Sequence, residues 1–263
     1  MIRRLLRLPN DDLRKIVFVA FAVCLVCSLV VSTTAVLLEP MQHAAEARYQ
    51  RHTVLVDVAG LSGQGGDVDR LFARIEARMV DLETDRYTQA ADPASYDPRN
   101  PGEAIPISAD LDTAKLGARP RYVPVYLIRE AGVLQRIILP VYGSGMYDRI
   151  YAYIALEADF NTVAAFRVYQ HGETPGLGGE IASSGWLAKW PGKRIYNGAE
   201  MPRLKVVKRR GGAVGDDDVH ELDGIAGATR TGRSVTNLLG YWLGPGGFGP
   251  FLAWLREGGV PDA

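Results

Sequence analysis

Residues 223–229, Asp-Gly-Ile-Ala-Gly-Ala-Thr, combine residue types that could receive and hold an anionic group. The stretch follows a short apolar segment, and after it apolar residues recur at helical spacing: Val235, Leu238, Leu239, Trp242 and Leu243. We therefore predict a strand, a turn of small residues and a helix start, with Thr229 close to the first turn. A helix start offers unpaired N–H groups and the positive end of the helix dipole, which favour a phosphate. Gly227 and Ala228 leave room for such a group beside the Thr229 hydroxyl, although a plain turn and helix cap would use the same residues.

A second stretch, His-Gly-Glu-Thr-Pro-Gly-Leu-Gly-Gly-Glu at 171–180, has four glycines and one proline in ten residues. This composition excludes a helix or a central strand, and it lets backbone amides approach a flat ligand without obstruction from side chains. Leu177 is an apolar residue inside this turn-forming loop and requires something to pack on. The loop is therefore interpreted either as a ligand-binding loop or as a tight surface turn.

Other elements of the fold must position these two stretches. After residue 121, the residue pattern predicts the strands of a sheet. Residues 122–129 and 133–141 flank a turn signal at 130–132, and residues 150–156 and 162–169 flank another at 159–161. Further strands are predicted at 54–58 and 204–207, a helix from Asp67 through Leu82 and a short helix at 186–190. Residues 85–120 predict an irregular segment. The fold class that follows is α+β, an antiparallel sheet flanked by helices.

The N-terminus predicts a membrane anchor. Residues 16–38 contain no charge, and at helical rise they span about 34 Å, enough to cross a bilayer. Because positive residues precede this segment, we expect 1–15 in the cytoplasm, a single transmembrane helix at 16–38 and 39–263 on the far side, with 40–52 as a stalk. Cys24 and Cys27 both fall in the helix, where packing is favoured over metal binding with a partner's thiols.

Other chemistry is sparse in the sequence. Thirty basic and thirty acidic residues balance, so the composition gives no reason to expect nucleic acid as a partner. The sequence lacks a P-loop, a dinucleotide-binding glycine motif and a nucleophile elbow. No metal site is predicted, because the four histidines are scattered and the acidic run at 216–218 is interpreted as a solvated loop.

The 223–229 stretch resembles the flavinylation motif D-x-x-(S/T)-G-A-T of proteins that carry FMN on threonine. Asp223, Gly227, Ala228 and Thr229 match this motif, and Ala226 stands where the family usually has Ser or Thr. By this resemblance, Thr229 is the residue that forms a phosphoester with FMN. The motif also implies a flavin transferase that uses FAD and Mg²⁺, with Asp223 as a recognition residue.

The loop, the threonine motif, the N-terminal anchor and the ending at 247–252, Gly-Phe-Gly-Pro-Phe-Leu, together resemble the NqrC family, whose members are subunits of Na⁺-translocating NADH:quinone reductases. The similarity covers nearly the whole chain. The 143–147 stretch, Gly-Ser-Gly-Met-Tyr, departs from the family's G-x-G-L-W at Tyr147. The resemblance implies one relay in a bacterial inner-membrane complex of six different proteins that moves electrons from NADH to ubiquinone and exports Na⁺, with the FMN domain in the periplasm.

The resemblance also suggests which residues surround the cofactor. We expect the FMN ring or ribityl chain to lie against the 171–180 loop and near one lysine: Glu173, Thr174, Gly176, Leu177, Gly178 and Lys208. No catalytic residue is assigned, because the protein is an electron carrier. The rival interpretations are the G subunit of an Rnf-type ferredoxin:NAD oxidoreductase, which shares the loop and the threonine motif, and an anchored scaffold without a redox cofactor.

Overall fold

The computed structural model describes residues 12–62, 67–93, 96–99, 102–198, 201–208 and 219–259. The chain divides into two compact units, Met1–Gln50 and Arg51–Ala263. Helix α1 (Leu13–Val58) contains an apolar stretch, Ile16–Thr33, that is long enough to cross a membrane. Its mean hydropathy is 2.7, and none of its residues is buried within the protein. The predicted helix at 16–38 therefore lies within α1. The basic residues before position 12 and the acidic run at 216–218 lie outside the described residues.

The second unit is built on a six-stranded sheet in which every neighbouring pair is antiparallel. The strand order is β2-β1-β5-β6-β7-β8, with the bounds β1 (Ile75–Asp81), β2 (Arg86–Thr88), β5 (Tyr122–Glu130), β6 (Val133–Ser144), β7 (Arg149–Glu157) and β8 (Val163–Gln170). Both predicted hairpins are confirmed. At the first turn, Ala131 and Gly132 have φ values of 48° and 80°, a conformation that glycine adopts readily.

Shorter elements complete the unit. Two small sheets pair β3 (Ala104–Pro106) with β4 (Ala118–Pro120) in antiparallel orientation and β9 (Lys205–Val207) with β10 (Glu221–Asp223) in parallel orientation. A 3₁₀ helix (Gly178–Ala182) and helix α3 (Ser184–Leu187) follow β8. The two helices after β10 are α4 (Thr229–Trp242) and α5 (Gly249–Arg256).

Hydrophobic side chains cover both faces of the sheet, and the architecture is the predicted α+β class. On one face α4 and α5 contribute fully buried residues, among them Leu238, Trp242 and Phe251. The indole N–H of Trp242 donates to the carbonyl of Tyr142 in β6 at 2.6 Å, which satisfies a buried donor and fixes the C-terminal end of α4 on the sheet. The other face packs against the last turns of α1, including the fully buried Leu55.

Two local predictions are wrong, whereas the stalk expected at 40–52 is helical and part of α1. Residues 54–58 form the end of α1 rather than a strand. A short apolar run fits a buried helix as well as a strand, and here the N–H of Ala59 donates to the carbonyl of Leu55. The helix predicted from Asp67 to Leu82 ends early: α2 covers only Val68–Phe72, and β1 follows.

The ambiguity in that segment has a simple geometric origin. Ile75 and Met79 are four residues apart, a spacing that places two side chains on one face of a helix and also on one face of a strand. In the fold, Ile75 and Met79 pair with residues of β5 and therefore lie in a strand. Residues 85–120, predicted to be irregular, contain three strands of only three residues each.

A pair of glycine substitutions tests the packing of α4 on the sheet. Gly240→Ala adds a methyl group with no atom within 4 Å, so it should stabilise the helix by about 0.5–1 kcal/mol. Gly143→Ala would place its Cβ 2.9 Å from that of Leu238 and 3.2 Å from the carbonyl of Ala114. This overpacking should cost about 1–3 kcal/mol. In thermal unfolding of the detergent-solubilised chain, the midpoint temperature should rise for Gly240→Ala and fall for Gly143→Ala. A lower midpoint for Gly240→Ala would contradict the helix packing described.

Candidate functional site

The small-residue turn between β10 and α4 has the predicted form. Gly227 has φ +75°, which favours glycine, and Ala228 is the N-cap residue. Thr229 is the first residue of α4, and its side chain is exposed. The N–H of Gly232 donates to the carbonyl of Ala228 at 3.0 Å, which closes the first turn of the helix. The Thr229 hydroxyl therefore stands at the helix start in contact with solvent.

The electrostatics at this helix start favour an added anion. The first turn of α4 contains no acidic side chain, whereas Arg230 in that turn and Arg233 just after it are both exposed. Cations at a helix N-terminus oppose the dipole, and the first amides of a helix have no intrahelical acceptor. A phosphate on Thr229 would meet both the N–H groups and the positive charge. The local residues thus fit the phosphate end of FMN.

The glycine-rich loop lies directly against this turn. A Cβ atom built on Gly227 would lie 3.0 Å from Cδ2 of Leu177, so the two stretches meet although fifty residues separate them. Leu177 keeps 46% of its surface exposed, and the exposed part is apolar. The residue that the sequence singled out for lacking a packing partner therefore packs only in part, next to the turn that carries Thr229.

The loop holds its shape through its own backbone. The carbonyl of Thr174 accepts from the N–H groups of Leu177 at 3.2 Å and Gly179 at 2.9 Å, and Gly176, just before Leu177, has φ +74°. The side chain of Thr174 is exposed. The loop therefore presents Thr174 and Leu177 on the outside of a tight, internally bonded turn.

Glu173 is the buried member of the loop, with 4% of its surface exposed. Its Oε2 atom accepts from the Thr231 hydroxyl at 2.5 Å, and its Oε1 atom accepts from the N–H of Met146 at 2.6 Å. Thr231 lies in the first turn of α4, and Met146 lies in the turn between β6 and β7. One carboxylate thus joins three segments that are remote in sequence.

Two glycines make room for this carboxylate. A Cβ on Gly145 would lie 2.4 Å from Oε1 of Glu173, and a Cβ on Gly178 would lie 2.6 Å from Oε2 and from the Thr231 hydroxyl. The sequence identified both glycines, but only through their motifs. It offered no signal for Thr231, because a lone threonine inside a helix has no distinguishing pattern.

The turn between β6 and β7 adds apolar surface beside the loop. Met146 and Tyr147 are 43% and 66% exposed, and the hydrogen bond from the Met146 amide fixes this turn to Glu173. Tyr147 stands where the family pattern G-x-G-L-W has tryptophan. Met146, Tyr147 and Leu177 each expose apolar side-chain surface of the kind that can pack against a flat aromatic ligand.

Asp223 and Lys208 lie at one end of the β9–β10 pair. Asp223 pairs with Val207, and the N–H of Gly224 donates to the Val207 carbonyl at 2.7 Å, so Lys208 follows directly beside the turn. The Asp223 carboxylate is half exposed and lies 3.8 Å from Nζ of Lys189. Its backbone carbonyl accepts from the indole of Trp186 at 2.9 Å. Lys208 is exposed.

Comparison with known proteins identifies the domain. The model of the FMN-binding domain family matches residues 145–244, from the β6–β7 turn beyond the end of α4. The chain is 40% identical over 260 residues to the C subunit of the Na(+)-translocating NADH-quinone reductase of Vibrio campbellii, covering 95% of this chain and 98% of the relative. It is 40% identical to the Pseudomonas aeruginosa protein of the same name, with the same coverage. The Yersinia pestis protein of that name is 38% identical, covering 96% of this chain and 97% of the relative.

Solved structures show the same fold. The crystal structure of Shewanella oneidensis NqrC superposes with a TM-score of 0.71 at 32% identity and covers 81% of this chain and 98% of that chain. The corresponding protein from Parabacteroides distasonis superposes with a TM-score of 0.59 at 21% identity, which supports the fold alone. With a flavin domain, an apolar N-terminal helix and relatives aligned over almost their whole length, the chain belongs to the NqrC family of the Na⁺-translocating NADH-quinone reductases.

Proposed function

We propose that this protein carries FMN covalently on the Thr229 hydroxyl through a phosphoester and acts as an electron relay between its neighbours in the complex. The observation that carries the proposal is the exposed Thr229 at the start of a helix whose first turn contains Arg230 and no acidic residue. Membership in the FMN-binding family supports the identity of the group. The apolar surface of Leu177 next to Gly227 supports a flat ring beside the phosphate.

Each residue of the site has a distinct task in this proposal. Thr229 holds the phosphate, and the small residues Gly227 and Ala228 leave room for it beside the turn. Leu177 and Thr174 contact the ring or the ribityl chain, with Gly176 and Gly178 shaping the loop. Lys208 supplies positive charge near the ring or the phosphate. When bound, FMN supplies one- and two-electron redox chemistry, and its potential depends on hydrogen bonds, packing and access of solvent at these residues.

The attachment reaction is a phosphoryl transfer from FAD, catalysed by a separate Mg²⁺-dependent flavin transferase. The Thr229 oxygen forms a bond to the phosphorus of the FMN half, and the pyrophosphate bond to AMP breaks. The hydroxyl proton is released, and AMP leaves with the bridging oxygen. Asp223, on the turn before Thr229, is a residue that the transferase recognises. The tether keeps FMN resident and gives it a high effective concentration at its site.

The relay role and the membrane arrangement extend the same proposal. The chain receives electrons from one flavin or iron–sulfur partner and passes them to the next, while other subunits bind NADH, quinone and Na⁺. The sequence has no dinucleotide-binding motif, in agreement with that division of labour. Residues 16–38 span the inner membrane, 1–15 lie in the cytoplasm, and 39–263 form the periplasmic domain.

Replacing the acceptor oxygen tests the linkage. Thr229→Ala should abolish the flavin fluorescence of the chain on a denaturing gel, because no hydroxyl remains to form the ester. Thr84→Ala, which changes another exposed threonine, is the matched control and should keep the wild-type signal. A fluorescent Thr229→Ala band would show that FMN is attached elsewhere.

Two substitutions distinguish recognition of Asp223 by the transferase from its ion pair with Lys189. Asp223→Ala should lose flavin but change the unfolding free energy by less than about 1 kcal/mol, because its partly exposed ion pair is weak. Lys189→Ala removes the same ion pair and leaves the carboxylate, so it should keep flavin. Both are measured by flavin occupancy and thermal unfolding. Equal loss of flavin in the two variants would assign the effect to the ion pair instead.

The membrane arrangement is testable with single cysteines. Val133 is 62% exposed, so Val133→Cys in a chain with Cys24 and Cys27 replaced by serine should react readily. A membrane-impermeant maleimide should label it in cells whose outer membrane alone is permeabilised. Leu5→Cys in the same background should react only after lysis. The reverse pattern would place the FMN domain in the cytoplasm.

A further inference from the structure

We infer that Glu173 is a positioning residue for flavin attachment: its buried carboxylate holds the start of α4, and with it Thr229, in fixed register with the loop at 171–180 and the turn at 144–148. This inference rests on the proposed attachment of FMN to Thr229. It replaces the expectation that Glu173 contacts the ring or the ribityl chain, because both oxygens of its buried carboxylate are engaged within the protein. The role acts through Thr231 and the amide of Met146.

The geometry of the carboxylate supports a role in alignment. Both oxygens are engaged, Oε2 by the Thr231 hydroxyl at 2.5 Å and Oε1 by the Met146 amide at 2.6 Å. Thr231 is 1% exposed and Glu173 is 4% exposed, so water has little access to either side chain. Buried hydrogen bonds to a charged acceptor are strong, and an unpaired buried carboxylate is costly. The three segments therefore hold one relative position rather than sliding past each other.

The partners of Glu173 lie close to Thr229, so the hydrogen bonds of Glu173 affect where the Thr229 oxygen is held. Thr231 lies two residues after Thr229 in the same helical turn, and Leu177 lies four residues after Glu173 and against Gly227. The hydrogen bonds of Glu173 therefore hold the Thr229 hydroxyl oxygen, which accepts the phosphoryl group, in a fixed position relative to Leu177. Phosphoryl transfer depends on the placement of the attacking oxygen, so loss of alignment lowers the rate of the chemical step.

The glycines around the carboxylate support the same conclusion independently. Alanine at Gly178 would displace both Oε2 of Glu173 and the Thr231 hydroxyl, since its Cβ would lie 2.6 Å from each. Alanine at Gly145 would collide with Oε1 of Glu173 and with the carbonyl of Asp148, both at 2.4 Å. Two separate turns are thus shaped to admit one side chain.

The test measures flavin transfer to the full-length chain in detergent by the purified transferase, with FAD and Mg²⁺, followed by intact mass. Glu173→Ala and Thr231→Val should each lower kcat by about tenfold or more, the size expected for one hydrogen bond to a charged group, with KM for the chain little changed. The double variant should lose no more than the worse single variant, because both substitutions break the same contact.

Conservative variants distinguish this role from simple destabilisation. In Glu173→Gln the amide oxygen can accept from Met146 and the NH₂ group can donate to Thr231, so the rate should stay within about threefold of wild type. Thr231→Ser should likewise restore the rate. Glu180→Ala, a half-buried glutamate in the same loop, is the control and should transfer flavin normally.

The possible outcomes separate the two proposals. Wild-type rates in both Glu173→Ala and Thr231→Val, with the wild-type chain modified, would overturn the positioning role and leave the attachment intact. A wild-type chain that takes up no flavin would overturn the attachment. In that case hydrogen exchange of the unmodified chain still tests the contact: the 144–148 turn should exchange faster in Glu173→Ala than in Glu180→Ala, and equal exchange would overturn it.

Discussion

The three segments of the candidate site are joined by one buried carboxylate, Glu173, which accepts hydrogen bonds from Thr231 in α4 and from the amide of Met146 in the β6–β7 turn. The alternative to this pairing is a desolvated charge without partners, which is among the more costly defects a fold can contain. The three segments it joins are the helix start, the glycine-rich loop and the adjacent turn. The residues that the flavinylation motif and the loop motif contribute therefore meet at one place on the surface.

The sheet provides the rigid base for that place. β6 and β7 lead into and out of the turn that carries Met146, and β8 leads into the loop that carries Glu173. Helix α4 is fixed at its far end by Trp242, whose indole donates to the β6 backbone, and near its middle by Thr236, whose hydroxyl accepts from the N–H of Val206 in β9. The exposed first turn of α4 is thus held from several sides, although its Thr229 hydroxyl faces solvent.

The sequence predicted those features whose signals are local. The small residues before a helical pattern located Thr229 at a helix start, and the turn signals at 130–132 and 159–161 located both hairpins. The predictions failed where one short pattern fits two structures: residues 54–58 continue α1, and Ile75 and Met79 lie in a strand. Contacts with the rest of the fold decide both cases, since 54–58 packs against the sheet and β1 pairs with β5. A single short segment contains no information about such contacts. The family resemblance supplied what local patterns could not, since it named the cofactor and the complex. The Vibrio, Pseudomonas and Yersinia relatives described above carry the name of the quinone reductase rather than that of the Rnf-type rival. The resemblance did not indicate how the two motifs are held together, because Glu173 and Thr231 are 58 residues apart and neither residue type reveals a hydrogen-bonded pair.

The central claim is the phosphoester on Thr229, and the intact mass of the full chain, purified from cells that contain the flavin transferase, tests it most directly. The account predicts a mass greater than that of the bare polypeptide by one FMN less one water, with the added mass on the peptide that contains Thr229. A chain with the mass of the bare polypeptide, or with FMN on a different peptide, would contradict it.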